Sequence, residues 1–259
     1  MSTSPMAAIL AIHAHPDDIE TLSAGTLALL SRAGHRVTIV TVTAGEGGST
    51  DYSPEETGRI RQSEGKAAAA VIDADYWCIG IPDLSVFNDD PTRRAVTETI
   101  RRAAPDIVLS PSTADYHPDH EAVAILVRDA CFAASVPNYK TGPSAVLPAI
   151  PHRYMMDPIG GRDRDGARIA PEFGADITTV LDAKRRMLAQ HVSQDAWVAK
   201  QHDISDHLSS MEKWSRRRGR DLGVEAGEGF RQYRHHPYPT TGLLQELLGG
   251  WLVQLRATP

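Results

Sequence analysis

The chain has 259 residues, 41% of them hydrophobic and 23% charged, with a formal net charge of -6 at pH 7. That length holds one large α/β domain or two small ones with a sizeable core, and the acidic balance argues against a dedicated nucleic-acid binder and, mildly, against acidic substrates. Cys78 and Cys131 are the only cysteines and lie in apolar surroundings, so they read as buried hydrophobes; Met6 to Ile12 is too short for a signal h-region and no segment reaches bilayer length, which makes the cytoplasm the expected compartment.

Ala7 to His13 is a continuous apolar run, the pattern of a strand covered on both faces. Thr21 to Ala33 follows with leucines at helical spacing and Gly34 as a stop, and then Val37 to Val42, β-branched at nearly every position, predicts a second buried strand. Strand, helix, strand is a βαβ unit; it makes a parallel sheet and receives ligands at the carboxyl ends of its strands. Thr43 to Ser49 fits neither the dinucleotide fingerprint nor the P-loop spacing and reads as a mobile loop at the rim of a pocket.

Pro54 to Ile72 is a predicted helix carrying Arg59, Arg61 and Glu64, which on spacing alone form a solvated i,i+3 ion pair. Tyr76 to Ile79 is a third strand, just past which Asp83 is either a turn residue or an acceptor for a hydroxyl. Thr92 to Ala103 reads as a helix, Ile107 to Leu109 as a fourth strand, and His120 opens a helix running to about Ala133. Ser135 to Pro151 is a loop, expected with Gly45 to Ser53 and the C-terminal third to line the pocket, and His152 to Met156 a strand. Leu181 to His191 and much of Asp195 to Arg218 are predicted helical, and Arg216 to Arg220 reads as a solvated helix end. The stripe Leu244, Leu247, Leu248, Trp251, Leu252 and Leu255 either closes the core or makes an oligomer contact. The whole reads as one α/β domain over 1–259, with 195–259 a helical extension.

Two loops share a pattern: His15-Pro16-Asp17-Asp18 after the first strand and His117-Pro118-Asp119-His120 after the fourth. Proline and acids at a helix start are ordinary capping chemistry, which explains the acids but not His15 or the echo in the second loop. Both loops fall at the same edge of one sheet, where His15, Asp18 and His120 supply the three nitrogen and oxygen donors a catalytic zinc takes. The i,i+3 step from His15 favours Asp18 over Asp17 as ligand. Asp17 is then an unligated carboxylate able to take a proton from water whose pKa the metal lowers. His117, as an imidazolium oriented by Asp119 or another acid, suits an oxyanion and a leaving amine; a surface histidine and a helix-capping Asp119 are the plain alternatives.

These motifs, with Gly45-Glu46-Gly47, Arg61 and Glu64, Asp83 and His191-Val192-Ser193-Gln194, resemble the LmbE-like family of zinc-dependent deacetylases, also called the PIG-L or GlcNAc-phosphatidylinositol de-N-acetylase superfamily. The resemblance spans about Ala7 to Gln194. It implies a Rossmann-like α/β fold with a mostly parallel sheet flanked by helices, and removal of an acetyl group from an N-acetylated amino sugar. By the same resemblance His15, Asp18 and His120 hold the ion, zinc or another divalent ion such as Fe2+, Asp17 is the base, and His117 the acid. Arg61 and Asp83 touch the sugar, and Tyr116, immediately before His117, is set with them. The rivals are a metal-dependent phosphoesterase, which ordinarily wants a second metal and more bridging carboxylates, and a non-catalytic sugar-binding protein with a structural metal.

Overall fold

The first apolar run sits at the centre of a sheet because both of its faces are covered. The computed structural model describes residues 6–194, 197 and 206–255. In it β1 (Ala8–His13) lies in parallel between β2 (Arg36–Thr41) and β4 (Ile107–Ser110), with β3 (Asp75–Cys78) outside β2 and β5 (His152–Met156) outside β4. Side chains of β1 alternate between two cores: Ile9 and Ala11 join one cluster, Leu10 and Ile12 the other. Each fully buried aliphatic side chain of this kind contributes about 1.5–3 kcal/mol.

Beyond β5 the sheet turns antiparallel. There β7 (Gly227–Tyr233) inserts between β5 and β6 (Phe173–Asp176), and β8 (Leu252–Gln254) adds to β6. The order across the eight strands is β3-β2-β1-β4-β5-β7-β6-β8, a mixed α/β architecture with a mostly parallel sheet, as the sequence predicts.

The helix expected over residues 21–33 is two: α1 (Asp18–Leu22) and α2 (Ala24–Arg32), broken where Ser23 leaves helical geometry at φ -144°. With α3 (Pro54–Ala70), α6 (Leu181–Leu188) and α8 (Leu243–Leu248) they cover one face through Leu22, Leu27, Ala68, Met187 and Leu248, while α4 (Asp90–Ala103) and α5 (Pro118–Ala134) cover the other through Ile100 and Leu126. Capping fixes where several begin. Ser53 accepts the Glu56 N–H and Asp89 the Thr92 N–H, each with proline in the first turn that follows.

The C-terminal stretch corrects the prediction of a helical extension. After α7 (His207–Leu222) it supplies β7 and β8 to the main sheet; of the stretch 195–205, only Trp197 is among the described residues. The apolar stripe is not one helix either: Leu244 and Leu248 are buried in the core, and Leu252 belongs to β8. β7 is pinned from below. Glu228 accepts the N–H groups of Gly25 (2.9 Å) and Thr26 (2.7 Å) at the start of α2 and pairs with the buried ammonium of Lys184 at 2.7 Å. The basic run is not a solvated helix end throughout, since Arg218 is buried against Asp157. Cys131 is buried as expected, whereas Cys78 is half-buried. No helix among the described residues is long and apolar enough to cross a membrane.

Candidate functional site

The carboxyl ends of four parallel strands bring together what the sequence keeps far apart. His13 ends β1 and His15 follows it; Gly45 to Gly48 follow β2, Asp83 follows β3, and the stretch from Asp115 to His120 follows β4. Pro16 and Pro118 turn both histidine loops into helices, and His117 caps α5 by accepting the Asp119 N–H on Nδ1 (3.2 Å).

Three donors converge. His120 Nε2 stands 3.3 Å from His15 Nδ1 and 3.3 Å from Asp18 Oδ1, and Asp18 Oδ2 stands 3.3 Å from His15 Nδ1. Ligand atoms at roughly 2.0–2.1 Å from one tetrahedral ion stand about 3.3–3.4 Å apart, so His15 Nδ1 and His120 Nε2 have the spacing of two ligands of one ion, and Asp18 meets each of them through a different carboxylate oxygen. His117 belongs to the same neighbourhood: His15, His117 and His120 place nitrogens within 4.8 Å of one another, as do donors of His13, Asp18 and His120, and of His15, Asp83 and Asp119.

Acceptors behind the histidines fix which nitrogen faces the centre. Asp83 Oδ1 lies 3.0 Å and Asp119 Oδ2 3.4 Å from His15 Nε2, leaving Nδ1 to point inward. Asp115 Oδ1 is 3.2 Å from His120 Nδ1, leaving Nε2 inward. Leu84 locks the first pair: its N–H lies 2.9 Å from Asp83 Oδ1 and 2.8 Å from Asp119 Oδ2, a reach obtained with a left-handed backbone at φ 58°. His13 Nδ1 and the His15 N–H both meet Asp18 Oδ2, at 2.7 and 2.8 Å.

The electrostatics match a cation site. Burial alone would lower the His15 and His120 pKa values, but Asp119, Asp18 and Asp83 raise the first well above the ordinary value, and Asp18 with Asp115 brings the second to about 9. Burial would likewise raise Asp18, yet the charges of His120 and His13 hold it well below the usual carboxylate range. Carboxylate charge that holds protons on two buried imidazoles is equally suited to a divalent ion, so the donor set fits a metal. His117 differs. Burial, then the charges of His15 and His120, push it down to about 4, which favours the neutral imidazole over the imidazolium expected; with Nδ1 accepting a backbone N–H, a neutral ring carries its proton on Nε2.

Asp17 stands outside the 3.3 Å trio, at the N-terminus of α1 with φ 95°. Its Oδ1 is 3.4 Å from Arg61 Nη2. Arg61 corrects the solvated reading of α3: only 4% exposed, it donates to the carbonyls of Pro16 (2.6 Å) and Gly45 (2.8 Å) and so ties the loops after β1 and β2 together. Glycine is required at position 45, where φ is +66° and any Cβ would collide with the guanidinium. Glu64 pairs not with Arg61 but with the Ser193 N–H and hydroxyl, at 2.8 and 2.6 Å.

These groups open onto a cavity of about 840 Å³ lined by His15, Asp17, Asp18, Gly47, Gly48, Arg61, Asp83, Tyr116, His117 and His120, together with Ile159, Met211 and Trp214 among others. The loop after β2 and the C-terminal third therefore contribute walls as expected. Ser135 to Pro151 is absent from the lining; it packs on α4, where Arg101 takes the carbonyls of Val136 and Tyr139 and Glu98 takes Thr141 and Ser144.

All nine residues singled out from the sequence thus fall in or beside one cavity, with two changes of place. Asp119 is set against His15 and Leu84, not behind the His117 ring it was expected to orient, and Asp83 backs His15 as well as facing the cavity. Tyr116, half exposed, stands edge-on to His117 and His120 with ring centres 5.7 and 5.6 Å away. Sequence reasoning missed His13 and Asp115. His13 looked like one more strand residue; a carboxylate two positions before His117 was the available sign of Asp115.

A family model described as GlcNAc-PI de-N-acetylase, PIG-L, matches residues 10–131. The chain is 27% identical to a diacetylchitobiose deacetylase of Thermococcus kodakarensis, over 73% of this chain and 72% of that one. It is 30% identical to a probable N-acetyl-alpha-D-glucosaminyl L-malate deacetylase of Bacillus anthracis, over 81% of this chain and 92% of that one. Among solved structures, a 4-carboxy-2-hydroxymuconate hydratase of Pseudomonas putida superposes with a TM-score of 0.73 at 22% identity, covering 92% of this chain and all of that one; the likeness is one of fold.

Proposed function

Because the chain belongs to the PIG-L de-N-acetylase family, we propose that it hydrolyses the N-acetyl group of an N-acetylglucosamine-type amino sugar or its conjugate, with a divalent ion held by His15, Asp18 and His120. The convergence of His15 Nδ1 and His120 Nε2 at 3.3 Å, with Asp18 Oδ2 3.3 Å from the first and Oδ1 3.3 Å from the second, carries the reading. Two imidazole nitrogens and one carboxylate are a zinc-type set, also acceptable to iron. Such an ion supplies a Lewis acid and lowers the pKa of water toward neutrality.

The remaining work falls to this chain's own side chains. Asp17, outside the trio, takes the proton from the attacking water and passes it to the departing nitrogen, and Arg61 at 3.4 Å fixes its carboxylate. His117 donates Nε2–H to the oxygen that gains charge as the carbonyl carbon becomes tetrahedral. Asp83, Asp119 and Asp115 hold the imidazoles in the tautomers the donor set needs. We assign the contacts with sugar hydroxyls to Arg61, Asp83 and Tyr116, all of which line the cavity. A phosphoesterase would call for carboxylates free to bridge a second ion, and Asp83 and Asp119 are already engaged by His15 and Leu84. We assign the reaction to the cytoplasm, where Cys78 and Cys131 remain thiols.

The test is metal content together with acetate release from a panel of N-acetylglucosamine conjugates. The expected outcome is acetate release that a chelator abolishes and the divalent ion restores. Metal-replete protein that releases no acetate from any member of the panel would overturn the assignment.

A further inference from the structure

The carboxylate behind His120 is itself held from a part of the chain that supplies no ligand. Asp115 is almost wholly buried, and its two oxygens have different partners. Oδ1 faces His120 Nδ1 at 3.2 Å and accepts the N–H groups of Tyr116 and His117, at 2.7 and 3.3 Å, all within the stretch 115–120. Oδ2 accepts the N–H of Ile159 at 3.3 Å, from 44 residues away in the turn after β5. The last torsion of an aspartate side chain is broad, so contacts at a single oxygen leave the plane of the carboxylate loosely set. The Ile159 N–H fixes the second oxygen and with it the plane.

That turn meets α7 at both of its ends. At the first, Asp157 Oδ2 accepts from Arg218 Nε at 2.6 Å, and Arg218 Nη1 reaches Asp221 at 2.9 Å. At the second, Gly161 lies against Trp214, where a Cβ would stand 2.5 Å from Cη2 of the indole. Both Asp157 and Arg218 are almost wholly buried. A buried ion pair is weak evidence for stability, because desolvation offsets most of its attraction, and fixing register is its best-attested use. Here the register it fixes is that of the Ile159 N–H, just beyond Asp157. Glycine makes room for the pair in β7, since a Cβ at Gly229 would stand 2.6 Å from Asp157 Oδ2.

Resting on the reading that His120 is a metal ligand, we propose that Ile159, Asp157 and Arg218 are positioning residues for the metal centre: the Asp157–Arg218 pair sets the turn, the Ile159 N–H sets the plane of Asp115, and Asp115 sets the nitrogen that His120 turns inward. The affinity of the site for its ion is thereby fixed in part by α7, which carries none of the ligands.

Ile159→Pro removes the N–H with little other change to the backbone. Pro158 before it is already extended, φ -69° and ψ 160°, as a residue preceding proline prefers, and Ile159 opens a single 3-10 turn, where proline is accommodated. Ile159→Ala keeps the N–H and loses the side chain. A competition titration of the full-length protein with zinc is expected to show affinity about tenfold weaker in I159P and R218M, within about twofold of wild type in I159A, and partly recovered in R218K. An I159P affinity equal to that of I159A, or an R218M affinity equal to wild type, overturns the proposal; should R218M not fold, the two Ile159 variants decide. The second readout is amide hydrogen exchange of the metal-free proteins. Tyr116 and His117, whose N–H groups Asp115 accepts, are expected to exchange about tenfold faster in I159P than in I159A. If the wild type binds no zinc, or H120A binds it as tightly as wild type, the metal reading fails by itself, and equal exchange in the two Ile159 variants removes the brace on Asp115 as well.

Discussion

Asp17→Asn separates the proton carrier from the metal shell more cleanly than any other change. Asp17 sits beside His15, Asp18 and His120 without belonging to that set, and its ion-pair partner Arg61 keeps the carbonyls of Pro16 and Gly45 when the charge is removed. The backbone there is left-handed, φ 95°. Asparagine tolerates that region, whereas alanine adds a backbone term of roughly 1–2 kcal/mol that would blur the result. Losing a positioned general base lowers the rate by about 10²–10⁴, or about 3–5 kcal/mol in the barrier. Acetate release at saturating N-acetylglucosamine conjugate, with metal content measured on the same preparation, should show kcat reduced by that factor, KM within about threefold, and metal unchanged. If the variant keeps more than a tenth of wild-type kcat, Asp17 is not the base. If it loses the metal instead, Asp17 is a ligand and the division of labour between Asp17 and Asp18 is wrong.

Asp119→Asn should weaken metal affinity by about 10–100-fold in a competition titration, because it withdraws the charge behind His15 Nε2 while leaving every inward donor in place; unchanged affinity would return Asp119 to a capping role. Glu228→Gln strands the buried Lys184 ammonium and should cost about 3–5 kcal/mol in denaturant unfolding, with Lys184→Met in the same chain recovering a substantial part; additive effects would show that the pair is not coupled. His191 is buried with Nε2 3.4 Å from Glu20, and although burial would lower its pKa, the Glu20 charge raises it above the ordinary value. A raised folded pKa stabilises fully below the unfolded value of about 6.5 and is lost as pH rises through the folded one. His191→Gln should therefore destabilise more at about pH 5.5 than at about pH 9, and an equal loss at both would assign His191 a packing role only.

The parallel half of the sheet is legible in the chain because its strands are buried on both faces and therefore uniformly apolar. The antiparallel half is not. β6 reads Phe-Gly-Ala-Asp and β7 reads Gly-Glu-Gly-Phe-Arg-Gln-Tyr, and neither shows the alternation that marks a strand. The reason lies in what β7 buries: Glu228 is inside because Lys184 and the first turn of α2 neutralise it, and no rule of hydrophobic pattern anticipates a carboxylate matched by residues some 40 and 200 positions away. Arg61 is the same case within the site. By spacing it is an exposed member of an i,i+3 pair; in the fold it is buried because two loops offer it carbonyl oxygens.

Fold alone does not select the reaction, since the same architecture serves a hydratase. What this chain adds is confined to four strand ends, and there the inward donors depend on the groups behind them. An imidazole can present either nitrogen; His15 presents Nδ1 because Asp83 and Asp119 occupy Nε2, and His120 presents Nε2 because Asp115 faces Nδ1. The His-Pro-Asp echo in the sequence identifies which residues can bind an ion, but the choice of nitrogen comes from carboxylates that arrive on β3 and β4 loops. Leu84, strained at φ 58° to hold Asp83 and Asp119 by a single N–H, belongs to that choice as much as any ligand does, although its own side chain carries no chemistry.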